Sequence, residues 1–515
     1  MKAKPYPTSA SKVGGYRWRI LGLLFAATTI NYMDRSVLGV LAPTLQYKVF
    51  HWSDQDYAAV NIAFKSAYAI GLVSMGAVID KVGTRAGYAI AIAVWSLFGM
   101  LHALVRPAFS LVGFCVARFG LGLGESGNFP AAIKTTAEWF PRRERAYATG
   151  IFNAGANVGA IMAPLIIPMV VLPDGTHWQY AFLTTGLLSL IWIVVWLKTY
   201  RPPAKHPGVG PEELSYINSD SPTTSGAKIP WSKVIPHRET WAFSLAKITD
   251  AAWWFYLFWG GKYLYDRFGL DIKGLALPLV IIFAVSDAGS VAGGWLSSTL
   301  IKRGWSVNRS RKTALFVSAL CVLPVVFVPL INTRFATDDG FYQRLAGPSV
   351  KSPPVPAEVQ TLLLAIKGQS FASAREFDAA VTAKLGSAAE VKFEGTLLAD
   401  ARTDRLYWIA VFLMALAAAG HQAWSCNLYT LVSDVFPKAA TASVIGFGGM
   451  FGAVAGLVAD WSLGHVLSAS GPSAYLFAFL GAGSAYLIFL GVIQILMPRM
   501  TPLGDDLRHT TEISS

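Results

Sequence analysis

Charge is what this chain lacks most. Only 14% of its 515 residues are Asp, Glu, Lys or Arg, where an average soluble protein has about a quarter. So few charges cannot furnish a water-exposed surface of that size, which excludes an ordinary soluble fold and a charged disordered chain alike. Cysteine is equally scarce. Cys115, Cys321 and Cys426 lie singly inside apolar runs, which excludes a disulfide framework and a Cys-based zinc site. The HExxH, GxSxG and Walker-loop patterns are missing too, so neither enzyme chemistry nor a metal or organic cofactor is indicated. Apolar mass takes their place. Hydrophobic residues make up 54%, with 17 Trp, 19 Tyr and 30 Phe, and the mean hydropathy is +0.45. The net charge of +13 does not call for nucleic acid, because a membrane protein gathers the same sign in its cytoplasmic loops. The expected fold is an all-α integral membrane protein whose main partner is the lipid bilayer.

A bilayer core takes about 20 mainly apolar residues per helix. Runs of that kind fall near 18–43, 58–79, 87–105, 109–133, 147–171 and 178–198, then near 241–265, 275–298, 312–331, 406–431, 440–466 and 473–497. The twelve divide into an N-terminal half over 1–200, a linker over 201–240 and a C-terminal half over 241–515. Lys and Arg gather at the N-terminus, at Lys81 and Arg85, at Arg142, Arg143 and Arg145, in the linker and at 302–312. That bias places both termini in the cytoplasm. Residues 332–405 lie on the other side, with nine basic and nine acidic residues and a Pro-rich stretch at 352–356. Helical patterns near 357–367 and 374–385 break it up. A loop this long reads either as a tolerated insertion or as a lid or partner-binding module.

The chain also repeats itself. A shift of 296 residues lays Glu138-Trp139-Phe140-Pro141-Arg142 onto Asp434-Val435-Phe436-Pro437-Lys438, and Gly124 onto Gly420. Two parallel six-helix halves account for this, and such halves hold a ligand between them near mid-membrane. Gly120, Gly124, Gly155, Gly159, Gly448 and Gly452 stand at small-xxx-small spacings and are read as helix packing.

Ionisable residues inside the spans cost about 2.5–3.5 kcal/mol each on insertion scales, so they are functional candidates. They are Asp34, Arg35, Lys65, Arg118, Glu125, Lys247, Asp250, Asp287 and His421. Lys262 and Asp460 are read as snorkelling from span ends. Arg118 and Glu125 are seven apart, two turns on one face and about 10 Å along the axis. Asn61, Lys65 and Tyr68 form a stripe on the second span. Asn153 and Asn157 pair at i, i+4 on the fifth, and Lys247 with Asp250 at i, i+3. These stripes outline a wet cavity more basic than acidic, in which Arg35, Lys65 and Arg118 suit an anion. Asp34 and Glu125 are carboxylates placed to exchange protons as the cavity changes sides.

At this point the chain resembles a known family. Gly76-Ala-Val-Ile-Asp80-Lys81-Val-Gly83-Thr-Arg85 is similar to the loop signature of the major facilitator superfamily. Asn31-Tyr32-Met33-Asp34-Arg35, Ala117-Arg118-Phe-Gly120-Leu-Gly122-Leu-Gly124-Glu125-Ser126 and Gly420-His421-Gln422-Ala423 resemble its anion:cation symporter branch, particularly bacterial hexuronate and sugar-acid transporters. The resemblance implies a proton-driven symporter working by alternating access, with hexuronates such as galacturonate or glucuronate as substrate. Another organic anion (an aldonate, glucarate or aromatic acid) is the alternative, and a non-transporting sensor a more distant one. Asp34 and Glu125 would carry protons, and Arg35, Lys65, Tyr68, Arg118, Asn153, Trp254, His421, Gln422 and Asn427 would meet the anion. Asp80, Arg85, Glu138 and Arg145 would form a cytoplasmic gate. The expected setting is a bacterial inner membrane, with a monomer as the working unit.

Overall fold

In lipid an α-helix satisfies every backbone N–H and C=O within its own segment, and the spans among the described residues are helical. A computed structural model describes residues 14–172, 175–219, 230–331, 333–346, 355–386, 393, 397–403, 405–504 and 506–508. Spans one to three are Tyr16–Pro43, Asp54–Val82 and Thr84–Leu101. Span four is broken at Ser126-Gly127 into Ser110–Glu125 and Asn128–Trp139. Spans five and six are Arg142–Val170 and Gln179–Thr199. Span seven comes in three pieces, Arg238–Ala246, Asp250–Phe258 and Gly260–Phe268. Spans eight and nine are Ala276–Lys302 and Val307–Val322, the latter extended by a tighter turn over Leu323–Leu330. Spans ten to twelve are Tyr407–Val435, Lys438–Ser470 and Tyr475–Leu496.

Among the described residues, eight helical stretches are long and apolar enough to cross a membrane, and the last of them, Ser443–Leu496, takes in most of span eleven and all of span twelve. The passages missing from that set are spans one, two and seven. Those spans are interrupted by charge or by breaks in the helix, and together with span four they carry the site described below.

The two halves pack alike. In the first, Gly122 of span four sits where an added Cβ would lie 2.4 Å from the Phe64 carbonyl of span two, and Gly159 of span five would press 2.2 Å against the Thr29 carbonyl of span one. In the second, Gly293 of span eight would meet Ala423 of span ten at 2.6 Å, and Gly448 of span eleven would meet the Phe243 ring of span seven at 2.3 Å. The same pairs of spans therefore close on small residues in both halves, as the repeat requires. Pro141 and Pro437 stand at the same place in the repeat, each just before a span. They lack the N–H that a helix start leaves unused.

The loop between spans nine and ten folds into a small unit of its own. Phe335–Ala336 pairs antiparallel with Ser370–Phe371, and helices Asp339–Ala346, Ala357–Leu363 and Ala374–Leu385 surround it. Phe335, Phe341, Leu363, Phe377 and Leu398 form its core, which also takes in Tyr265 from the end of span seven. The helices fall where the pattern placed them. Much of the Pro-rich stretch, 352–354, lies outside the described residues. Below, the membrane side bearing this unit is the insertion face, and the opposite side is the linker face.

Candidate functional site

Span four ends its first piece at Glu125, which drops that carboxylate into the bundle beside span one. Arg35 reaches it with both Nε and Nη2 at 2.9 Å from Oε2. The pair is fully buried, and Glu125 Oε1 has no hydrogen-bond partner among the described residues. The guanidinium of Arg35 is boxed by aromatic rings: Tyr32 at 4.6 Å, Tyr68 at 4.8 Å and Trp254 of the opposite half at 5.6 Å. Such cation–π contacts hold a cation while leaving its N–H edges available.

Arg118 is the unusual member. It is completely buried, and none of its three guanidinium nitrogens has a hydrogen-bond partner among the described residues. It lies over the Phe64 ring at 4.6 Å and near Phe258 of the other half at 5.5 Å. A buried arginine normally satisfies its donors, because an unmade bond to a charged group costs about 1.5–3 kcal/mol. Its five N–H groups form a fork that matches a carboxylate.

Neighbours in sequence part company here. Asp34 turns away from Arg35 toward span six, where Ser189 Oγ donates to it at 3.2 Å and Thr185 lies alongside. Arg118 and Glu125 share a face, yet Glu125 is taken by Arg35. Lys65 is no spare cation. Its ammonium lies 2.7 Å from Asp460 of span eleven and 5.3 Å from the Trp254 ring. Trp259 Nε1 donates to the other oxygen of Asp460 at 2.9 Å. Lys247 pairs with Asp250. Tyr68 and Trp254 are half-buried and touch edge to face across the halves, with ring centroids 6.3 Å apart.

The remaining candidates do other things. His421 bonds the Tyr486 hydroxyl at 2.7 Å and stacks on Trp253. Asn427 donates to the Gly293 and Ala423 carbonyls at 3.0 and 2.9 Å, which fastens span ten to span eight. Gln422 is half-buried beside them, and Asn153 is exposed. Of the four residues expected at a gate, Arg85 donates to the Leu197 carbonyl and Arg145 to the Phe140 and Ala137 carbonyls. Glu138 accepts from Thr84 at 2.6 Å and from Tyr200. Burial and that bond to Glu138 push the Tyr200 hydroxyl well above its ordinary pKa. Each of these contacts stays within the first half. The side chain of Asp80 lies outside the described residues.

A second charged cluster was not expected from the sequence. At the insertion face Lys262 of span seven lies 2.9 Å from Asp54 of span two, and it also contacts Asp266 and the Tyr47 hydroxyl. Tyr47 and Tyr475 donate to Asp266 at 2.5 and 2.9 Å, and Gln46 donates to Asp54 at 2.7 Å. Arg375 of the insertion completes it, 3.0 Å from Asp54. Lys262, Asp54 and Asp266 are fully buried. Lys262 and Asp460 are therefore not snorkelling; both form ion pairs that join the halves. The i, i+4 spacing of Lys262 and Asp266 was the available signal. Deeper in, Tyr57 donates to the Phe258 carbonyl, and Gly39 stands where a Cβ would be 2.3 Å from the Leu257 carbonyl. These contacts seal the insertion face. At the linker face Arg17 pairs with Glu144 and with Glu213 of the linker, and Arg311 pairs with Asp434, each without crossing between the halves.

Comparison with known proteins agrees with this architecture. The family model of the major facilitator superfamily matches residues 24–338. The chain belongs to the major facilitator superfamily. It is accordingly a multi-pass membrane transporter and not an enzyme. Curated relatives include a galacturonate transporter of Dickeya chrysanthemi, 33% identical over 61% of this chain and 90% of its own length. A hexuronate transporter of Escherichia coli is 31% identical over 63% of this chain and 75% of its own. Among solved folds, a bacterial homologue of the human lysosomal transporter Spinster, in an inward-facing and unoccupied conformation, superposes with a TM-score of 0.62 at 16% identity, covering 95% of this chain and 97% of that one. A D-xylose–proton symporter superposes at 0.58 with 13% identity, covering 93% and 96%.

Proposed function

We propose that this superfamily member is a proton-coupled symporter of a sugar acid, with the linker face in the cytoplasm. The observation that carries the reading is the buried guanidinium of Arg118, without a hydrogen-bond partner, close to the Arg35–Glu125 pair. A ligand carboxylate would supply what Arg118 lacks. Protonation of Glu125 would release Arg35 to join it, so that anion and proton arrive together. Asp34, held by Ser189 on the far side of span one, is the second proton carrier in this scheme. Tyr68 and Trp254 offer the half-open ring surface that a sugar face packs on.

The charge count favours a monoanion. Lys65 is neutralised by Asp460 and Arg35 by Glu125, which among these three cations leaves Arg118 ready for one carboxylate. Hexuronates and aldonates carry one, and the names of the relatives at 33% and 31% identity agree with the hexuronates. The Lys and Arg bias toward the linker side supports the orientation. On this reading the seal closes the outside, and the arrangement corresponds to the inward-facing state of the cycle.

Purified protein in liposomes should accumulate labelled galacturonate or glucuronate under an inward proton gradient and lose that accumulation with a protonophore. Glu125→Gln should retain binding or exchange while losing pH-driven accumulation. Undiminished accumulation by that variant would remove Glu125 from coupling. Absence of any uptake by folded wild type would rule out the hexuronates and direct the search to aldonates.

A further inference from the structure

The insertion is fastened to one half and reaches for the other. Its chain leaves span nine and returns into span ten, and it is seated on the tip of span seven. There Tyr265 donates to Asp378 at 2.8 Å and Arg402 donates to the Gly269 carbonyl at 2.8 Å. Gly269 ends span seven at a φ of +61°, and an added Cβ would lie 3.0–3.3 Å from Leu398, Phe335 and Ala374 of the insertion. A side chain there would be strained by the backbone and crowded by its neighbours. The insertion therefore moves as part of the C-terminal half.

Arg375, on helix Ala374–Leu385, crosses the divide. It donates from Nη1 to Asp54 Oδ2 at 3.0 Å and stands 5.7 Å from the Tyr47 ring. Burial pulls its pKa down, but Tyr47 and Asp54 outweigh that and hold it above its ordinary value. Asp54 is wholly buried, while the Arg375 side chain is 36% exposed and enters from the aqueous edge. Asp54 has two cationic partners, Lys262 and Arg375, both belonging to the opposite half; Gln46 is its partner at home.

We infer that Arg375 is a positioning residue of the transport cycle, through which the insertion holds the seal between the halves shut at Asp54. When the halves part at the insertion face, Lys262 leaves with Asp266, Arg375 leaves with the insertion, and Asp54 keeps Gln46 alone. Each cation removed from Asp54 beforehand makes that parting easier. An insertion without a role in the cycle would need no charged contact with the half it is not attached to. The inference depends on alternation between two halves and not on which anion is carried.

The seal can be read directly by a distance across it. Gly464 of span eleven packs against Ala58 and the Asp54 carbonyl of span two, and Gln55 and Ser468 are exposed nearby. Spin labels at Gln55→Cys and Ser468→Cys, with the three native cysteines replaced and the protein in lipid nanodiscs, report opening by pulsed electron–electron double resonance. Wild type should give mainly the short distance. Arg375→Ala and Arg375→Gln should each raise the long-distance population about 3- to 10-fold, as loss of a half-exposed charged hydrogen bond implies. Arg375→Lys should recover part of the short distance. Lys367→Ala removes an exposed pair internal to the insertion, with Asp339, and should change nothing. Wild-type distributions in both Arg375 variants would overturn the inference, and so would an equal shift in Lys367→Ala. Because no substrate enters the measurement, its result stands apart from that of the uptake assay.

Discussion

Two of the buried charged clusters in this transporter are built on opposite terms. The cluster at Arg35, Glu125 and Arg118 sits largely inside the first half and is left incomplete: among the described residues Arg118 has three nitrogens without hydrogen-bond partners and Glu125 one such oxygen. The cluster at Asp54, Lys262 and Asp266 bridges the halves, and both carboxylates accept from several donors. Low dielectric makes both arrangements consequential. An incomplete cluster has something to gain from a ligand, whereas a complete one has something to lose from motion. In the proposed cycle the incomplete cluster receives the anion and the bridging one holds the halves together.

The sharpest way to break that contrast is to make the complete cluster incomplete. Lys262→Met takes the ammonium from two buried carboxylates, and removing one partner of a buried pair costs about 3–5 kcal/mol. Thermal unfolding in detergent should fall markedly, or the halves should separate at the insertion face. A variant as stable as wild type and still closed would mean that Lys262 is not the centre of the seal. The reverse experiment is Arg118→Gln. Because Arg118 has no hydrogen bond to lose, thermal stability should hold or rise, while ligand affinity should drop about 10- to 100-fold, the equivalent of about 1.5–3 kcal/mol for a charged hydrogen bond. A loss of stability as large as that of Lys262→Met would erase the distinction between the two clusters. The mildest effect is expected for Lys65→Met combined with Asp460→Leu. An apolar pair of similar volume commonly matches a buried ion pair, so the double variant should unfold near the wild-type temperature although Lys65→Met alone does not. If the double variant stays as damaged as the single one, Lys65 has a further role in the cavity.

The sequence made the architecture readable because lipid forces a simple pattern: apolar runs of fixed length, basic residues between them, and a repeat at 296 residues. Even the short helices of the insertion were visible as local periodicity. What stayed hidden was partnership. Spacing groups Arg118 with Glu125 and sets Asp34 beside Arg35, yet neighbours on one span face different helices across the bundle, and Glu125 finds Arg35 from 90 residues away. Depth was misjudged for the same reason. Lys262 and Asp460 look as if they lie near span ends when each helix is read alone. Opposite them stand Asp54 and Lys65, on a span more than 190 residues earlier. Asn427 has the chemistry of a ligand contact, but its donors are used by the Gly293 and Ala423 carbonyls. No one-dimensional pattern records that use.

One feature of the insertion reaches beyond gating. A carrier assembled from two repeated halves has an approximate balance built in, since closing one mouth resembles closing the other. The unit hung on Gly269 and Tyr265 has no counterpart among the described residues of the first half, so under the inference drawn for Arg375 it would weight that balance toward a single resting posture. A carrier with such a bias spends its idle time with one door shut, and ligand arriving from the two compartments meets it on unequal terms.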